Sequence, residues 1–261
     1  MEVSVILLED ILLEDLIKAL FAAVDDSIGN ETNLAVAFSG GLDSSLLAKI
    51  CKDIGADVTL LTVGFSESLD IPFSKAIANK MNLPHKVLEL DTESFKENAD
   101  RIFNKIKCKV PSHIENCIGF FFIGRFARAN GFRTILTGNG CDELFCGYDR
   151  FRSVYNHGEK ELMMLTDRKL ENEFELMQEI DRILSELGIN LLQPFLTSEF
   201  ISFAKSIPID QKIIGPCDMV RKHILRQVAV SINVPVQAAM QRKKALQYSS
   251  LIHRKFCKLR M

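Results

Sequence analysis

The chain has 261 residues, with 32 Lys+Arg against 34 Asp+Glu and therefore a formal net charge of −2, and 47% of its residues are hydrophobic. That balance describes an ordinary globular chain large enough to build its own core without staples. No run of about 18 uncharged apolar residues occurs, which excludes a transmembrane helix, and the acids Glu9, Asp10, Glu14 and Asp15 interrupt the apolar start, which argues against a signal peptide.

Val5 to Ile28 carries apolar and acidic residues at helical spacing and stops at Gly29-Asn30. Leu34 to Phe38 is a short continuous apolar run, the signature of a strand buried on both faces, and it breaks into Ser39-Gly40-Gly41-Leu42-Asp43-Ser44-Ser45 before an apolar helix reaching Ile50. Further strands are predicted at 58–63, 86–90 and 134–137, and helices at 71–81, 92–107 and 112–130. From about Phe151 onward the pattern reads as helical, without a convincing strand. The predicted fold is therefore α/β: a parallel sheet of about five strands with helices on both faces, residues 1–150 forming the sheet unit and 151–261 a helical part that completes the site within one compact domain. In such sheets ligands sit at the carboxyl ends of the strands, near a switch point. Two glycine-rich turns, 39–45 and 138–140, leave strands at that end.

The seven cysteines, Cys51, Cys108, Cys117, Cys141, Cys146, Cys217 and Cys257, include no CxxC pair, so reduced thiols in a cytoplasmic protein are expected. Charge is segregated along the helical half. Residues 159–186 hold nine acids against four bases, and after Asp218 there are ten bases and no acid. A basic tail suits an anionic partner, although solvated basic helices are common.

The sharpest feature is the turn at 39–45. Consecutive glycines after a buried strand let backbone N–H groups approach an anion, and the following helix adds the positive end of its dipole and two serine hydroxyls. Asp43 is out of place in a phosphate loop unless a cation such as Mg²⁺ lies between it and the phosphates. The second feature is Thr137-Gly138-Asn139-Gly140-Cys141-Asp142-Glu143-Leu144-Phe145-Cys146-Gly147-Tyr148, which puts two carboxylates at another strand end. Asp142 and Glu143 suit helix capping as well as metal binding.

Ser39 to Ser44 resembles the pyrophosphate loop of the N-type ATP pyrophosphatases, whose fold is adenine nucleotide alpha hydrolase-like. The 137–148 stretch resembles the corresponding box of the asparagine synthetase family's synthetase domain. Val63-Gly64-Phe65 with Asp70, Pro194-Phe195-Leu196, Lys222-His223-Ile224-Leu225-Arg226 and Arg242-Lys243-Lys244 resemble further family segments in the same order. The resemblance implies ATP and Mg²⁺, with cleavage to AMP and pyrophosphate as a carboxylate is adenylated and then attacked by ammonia or an amine. It implies that Ser39, Gly40, Gly41, Asp43 and Ser44 bind pyrophosphate, that Ala37, Val63, Gly64, Thr137 and Gly138 line adenosine, and that Asp43 and Asp142 hold Mg²⁺. Lys244 would stabilise the adenylation transition state; from the motif alone, Lys243 and Lys244 read equally well as a solvated basic turn.

Departures fall on the acceptor side. Asn139 stands where the family carries a glutamate that handles the amine proton, and an amide cannot accept that proton. Asn190 to Thr197 lacks the family's Glu, Arg and final Asp. The family's glutaminase nucleophile is a Cys at position 2, and here that residue is Glu2. Ammonia is then expected free or from a separate glutaminase partner, and a homodimer is a candidate assembly. Glu115 is a candidate replacement base, although a solvated role suits it better. His85, His113, His157, His223 and His253 show no metal spacing, and Cys141 and Cys146 read as packing residues. RNA modification by the same adenylation step ranks second, on the basic tail. A catalytically weak nucleotide-binding subunit ranks third, on Asn139 and Asn190.

Overall fold

The computed structural model describes residues 2–108, 110–242 and 250–260, with backbone alone for 2–9 and 260. Helix α1 (Glu2–Ile28) leads into β1 (Leu34–Ala37), α2 (Leu42–Asp53), β2 (Val58–Gly64), α3 (Asp70–Met81), β3 (His85–Glu89), α4 (Thr92–Lys105), α5 (Pro111–Ala129) and β4 (Thr134–Leu136). Then follow α6 (Cys141–Leu144), α7 (Asp149–Val154), α8 (Glu159–Glu186), β5 (Asn190–Leu192), α9 (Ser198–Ser206), α10 (His223–Ser231), α11 (Val236–Ala239) and α12 (Ile252–Arg260).

Five parallel strands form one sheet in the order β3-β2-β1-β4-β5. Consecutive residues of β1, β2 and β4 are buried, so both faces are covered. Right-handed crossovers explain the layering. The chain runs β1-β2-β3 in one direction, which sets α2 and α3 on one face. It then reverses to β4, which sets α5 on the other. The reversal opens a crevice between the carboxyl ends of β1 and β4.

One correction concerns the helical half. Asn190–Leu192, within the stretch predicted to lack strands, is β5 and pairs in register with β4, Leu191 opposite Ile135. Gly188, with φ +69°, turns the chain out of α8, and Ile189 and Leu191 are buried at the sheet edge.

Buried Leu16, Leu20, Val24 and Ile28 of α1 form a stripe at four-residue spacing, and α1 packs on α2, α9 and α10. Phe120, Phe121 and Phe122 are buried, and Phe122 stacks on Phe95. None of the described helices is long and apolar enough to cross a membrane.

Candidate active site

The site is assembled where β1 and β4 end. After Ala37 the chain turns through Ser39 and Gly40, whose φ of +77° is a left-handed conformation that glycine adopts without strain. Gly41 caps α2 without a side-chain bond. Ser44 Oγ instead ties the turn together, donating to the Gly41 carbonyl at 3.3 Å and accepting the Ser39 N–H at 3.3 Å. The first N–H groups of α2 are thereby presented at the crevice, where an anion is favoured.

The turn after β4 comes up against this one. A Cβ on Gly138 would lie 3.0 Å from the Asp43 carbonyl oxygen, and one on Gly140 would lie 2.7 Å from the Phe195 carbonyl oxygen. Only glycines permit that approach. It brings Asp43, in the first turn of α2, and Asp142, in the first turn of α6, onto one cation.

That cation is Lys222, which was legible in the sequence only as part of a motif. Its Nζ is 2.8 and 2.7 Å from the two Asp43 oxygens and 2.7 Å from Asp142 Oδ1. Burial alone would push its pKa down, but Asp142 and Asp43 outweigh that and raise it, so the ammonium stays charged. Lys222 and Arg221 both have left-handed backbones, φ 56° and 52°. Asp218 braces them, its carboxylate accepting the N–H groups of Arg221 and Val220 at 2.9 Å and that of Ile214 at 3.1 Å, with His223 Nε2 2.7 Å away. Arg221 in turn donates to the Gly147 carbonyl and to Asp149. A Cβ on Gly147 would overlap both Asp142 Oδ1 and Lys222 Cε, so this glycine makes room for the ion pair.

Two cavities meet at Asp43. The smaller, 70 Å³, is lined by Ser39, Gly41, Ser44, Lys222, Arg226 and Arg242, which can donate to an anion, and by the carboxylates of Asp43 and Asp70. The larger, 380 Å³, takes in Ala37, Thr137 and Gly138 on the sheet side. Its other wall is α8, where Lys169, Asn172, Glu173 and Leu176 share one helical face. Of the residues expected around adenosine, Val63 and Gly64 end β2 and do not line either cavity. Lys244 and Lys243 lie outside the described residues.

Asn139 is bonded rather than isolated. Its Nδ2 donates to Glu173 Oε1 at 2.6 Å, and Thr137 Oγ1 donates to its Oδ1. Glu173, from α8, was not singled out in the sequence, because its arrival depends on how the helix docks. Behind it, Tyr148 donates its hydroxyl to Glu143 Oε1, and Lys169 Nζ sits 4.7 Å from the Tyr148 ring centroid. Burial, then the charges of Glu173 and Asp142, push the Glu143 carboxyl up to about 8.

Cys141 and Cys146 are both wholly buried, and burial pushes the Cys141 thiol well up and that of Cys146 up to about 12, in keeping with packing roles. The expectation of a solvated Glu115 is overturned: it is buried and lies 2.7 Å from His253 Nδ1. His253 is a half-buried residue of α12, with Cys257 one helical turn along and its Sγ 3.8 Å from Nε2.

Comparison with known proteins identifies relatives of this chain. A Methanocaldococcus jannaschii protein, provisionally named asparagine synthetase (glutamine-hydrolyzing) 1, is 29% identical over 268 residues, which cover 91% of this chain and 49% of that protein. The Rattus norvegicus asparagine synthetase (glutamine-hydrolyzing) is 26% identical, over 85% of this chain and 40% of its own length. The chain thus spans about half the length, or less, of these relatives. A solved structure described as a predicted subunit of tRNA methyltransferase from Methanocaldococcus jannaschii superimposes with a TM-score of 0.39 at 16% identity, covering 82% of this chain and 94% of that one, too distant a likeness to bear on activity. The Asparagine synthase family matches residues 15–175 and 160–260, a span that holds both strand-end turns, β5 and the Lys222 ion pair. This chain belongs to the asparagine synthase family.

Proposed function

We propose that the chain is an ATP-dependent amide synthetase that forms AMP and pyrophosphate while activating a carboxylate, then passes the acyl group to ammonia or an amine. The observation that carries this reading is the meeting of Asp43 and Asp142 on Lys222 Nζ beside the turn at 39–45. Two hard oxygen donors aimed at one positive centre are what a Mg²⁺–pyrophosphate complex requires. Asp43 and Asp142 would hold the Mg²⁺, which when bound neutralises charge on the departing pyrophosphate.

The remaining steps belong to the chain's own residues. The α2 N-terminus, Ser39, Ser44, Lys222, Arg226 and Arg242 receive the pyrophosphate as the carboxylate oxygen attacks the α-phosphorus. Ala37, Thr137 and Gly138 border the nucleoside, with Val63 and Gly64 at the neighbouring strand end. Lys244, two residues after Arg242 in the chain, would add a cation for the adenylation transition state. The amine then attacks the acyl carbon, the bond to AMP breaks, and the amine proton passes to a carboxylate. Asn139 cannot take it. Glu173, held 2.6 Å from the Asn139 amide, is placed to do so, while Asn139 orients the nucleophile. In this reading residues 1–150 supply nucleotide activation and 151–261 complete the site. A cytoplasmic location is in keeping with seven free thiols.

The test is pyrophosphate release from Mg²⁺-ATP, with AMP quantified alongside, across a panel of carboxylates with ammonium. AMP and pyrophosphate appearing together with one acid, and vanishing in Asp43→Ala and Lys244→Ala, supports the reading. Tight ATP binding without turnover on any acid overturns it and favours a nucleotide-binding subunit.

A further inference from the structure

Glu115, His253 and Cys257 lie away from both cavities yet share one place. Glu115 is on α5, and its carboxylate is buried, 4% exposed, with Oε1 2.7 Å from His253 Nδ1. His253 and Cys257 are four residues apart on α12, a spacing that stacks them on one helical face. The Cys257 Sγ is 3.9 Å from His253 Nδ1, and one ligand atom from each of the three residues lies within 4.8 Å of the others. Other residues of α5 turn toward the larger cavity, among them Asn116 and Phe120, so this cluster is on a separate face of the helix.

We propose that Glu115, His253 and Cys257 form a zinc site that staples α12 to α5. The donor set is one oxygen, one imidazole nitrogen and one sulfur, and bond lengths of about 2.0–2.3 Å to Zn²⁺ fit inside a triangle of that size. The thiolate selects a soft or borderline cation against Mg²⁺ and Ca²⁺. With the thiol deprotonated, the carboxylate and thiolate carry two negative charges that a divalent ion neutralises, which removes the penalty of a buried carboxylate. His253 and Cys257 are half-buried, which leaves room for entry and for a water as fourth ligand. Lys255 of the same helix is directed elsewhere: it sits over the Phe65 ring and pairs with Glu67.

The consequence reaches the candidate active site through the chain. Ser250, just before α12, accepts the Phe65 N–H at 3.3 Å beyond the carboxyl end of β2. Residues 243–249, which include Lys244, join Arg242 of the anion cavity to this anchor. A metal on α12 would fix the far end of that connection.

The experiment is Co²⁺ substitution of the metal-stripped full chain, read by absorption. One tightly bound Co²⁺ per chain, with a thiolate-to-cobalt charge-transfer band and the visible bands of a tetrahedral site, is expected. The band should vanish in Cys257→Ser, and Co²⁺ affinity should fall at least about tenfold in His253→Gln and Glu115→Gln. Cys108→Ser, which removes the separate Cys108–His113 contact, should leave all of this unchanged. Far-UV circular dichroism checks that each variant is folded; should Cys257→Ser not fold, the same loss on blocking the thiol with iodoacetamide serves in its place. No charge-transfer band in the folded wild-type chain, or a band that survives loss of the Cys257 thiol, overturns the proposal. The readout is independent of any ATP-dependent activity.

Discussion

The side of the crevice proposed to take the nucleotide draws Ser39, Asp43, Gly138 and Asp142 from two turns that follow neighbouring parallel strands. The facing wall draws Lys169 and Glu173 from the middle of α8 and Tyr148 from just before α7. On the first side, position follows from topology: any chain that reverses between β1 and β4 brings those turns together, and Gly138 lets them touch. On the second, position follows from how a 28-residue amphipathic helix docks, and its charges change without disturbing the sheet. The asparagine synthase family match covers both sides. The side built on helix docking is therefore where a relative can acquire a different acceptor chemistry.

The contrast can be broken most severely at Lys222. Lys222→Ala removes the ammonium between Asp43 and Asp142 and leaves two like charges facing each other, and a loss of about 3–5 kcal/mol is expected in urea denaturation. Adding Asp142→Asn should restore part of that stability but no pyrophosphate release. Next comes Glu173→Gln. If Glu173 takes the amine proton, product formation drops about 10²-fold or more, whereas acid-dependent exchange of pyrophosphate into ATP persists. Equal loss of both would place Glu173 on the nucleotide side instead. Gly138→Ala should reverse that pattern. The added methyl meets the Asp43 backbone, at a cost of about 1–3 kcal/mol, and ATP binding by calorimetry weakens together with stability.

The most conservative substitution sharpens the comparison through pH. Glu143 keeps its proton in the fold up to about 8, while the unfolded side chain loses it near 4.5. Over that window the folded chain binds more protons, so this group's contribution to stability falls as pH rises from about 4.5 to about 8. Asp142 and Glu173 are the charges facing it, and Tyr148 donates to it. Glu143→Gln should flatten the slope in chemical denaturation measured across those pH values.

Much of the side built from the two strand-end turns was legible in the sequence, because its residues sit in contiguous turns after strands that read clearly as apolar runs. Asp43 and Asp142 were expected to hold Mg²⁺, and the structure brings the two carboxylates together on the Lys222 ammonium. Strand β5 was missed because three edge residues after a long helix carry no alternation; the apolar Ile189 to Leu192 following Gly188 was the available signal. Lys222 lay within a recognisable motif, but its role depends on a left-handed backbone that no local pattern announces. Glu173 was one acid among nine on its helix, and only packing distinguishes it. His253 and Glu115 are 138 residues apart, so their pairing is purely tertiary.

Arg221 and Lys222 have a bearing on any attempt to engineer this protein. A designer choosing residues for backbone preference would write Gly or Asn at two successive left-handed positions, and such replacements commonly raise stability elsewhere. Here that choice would remove the ammonium between Asp43 and Asp142 and the guanidinium that holds Gly147 and Asp149. Thermostabilising libraries built on local propensity should therefore hold residues 218–222 constant.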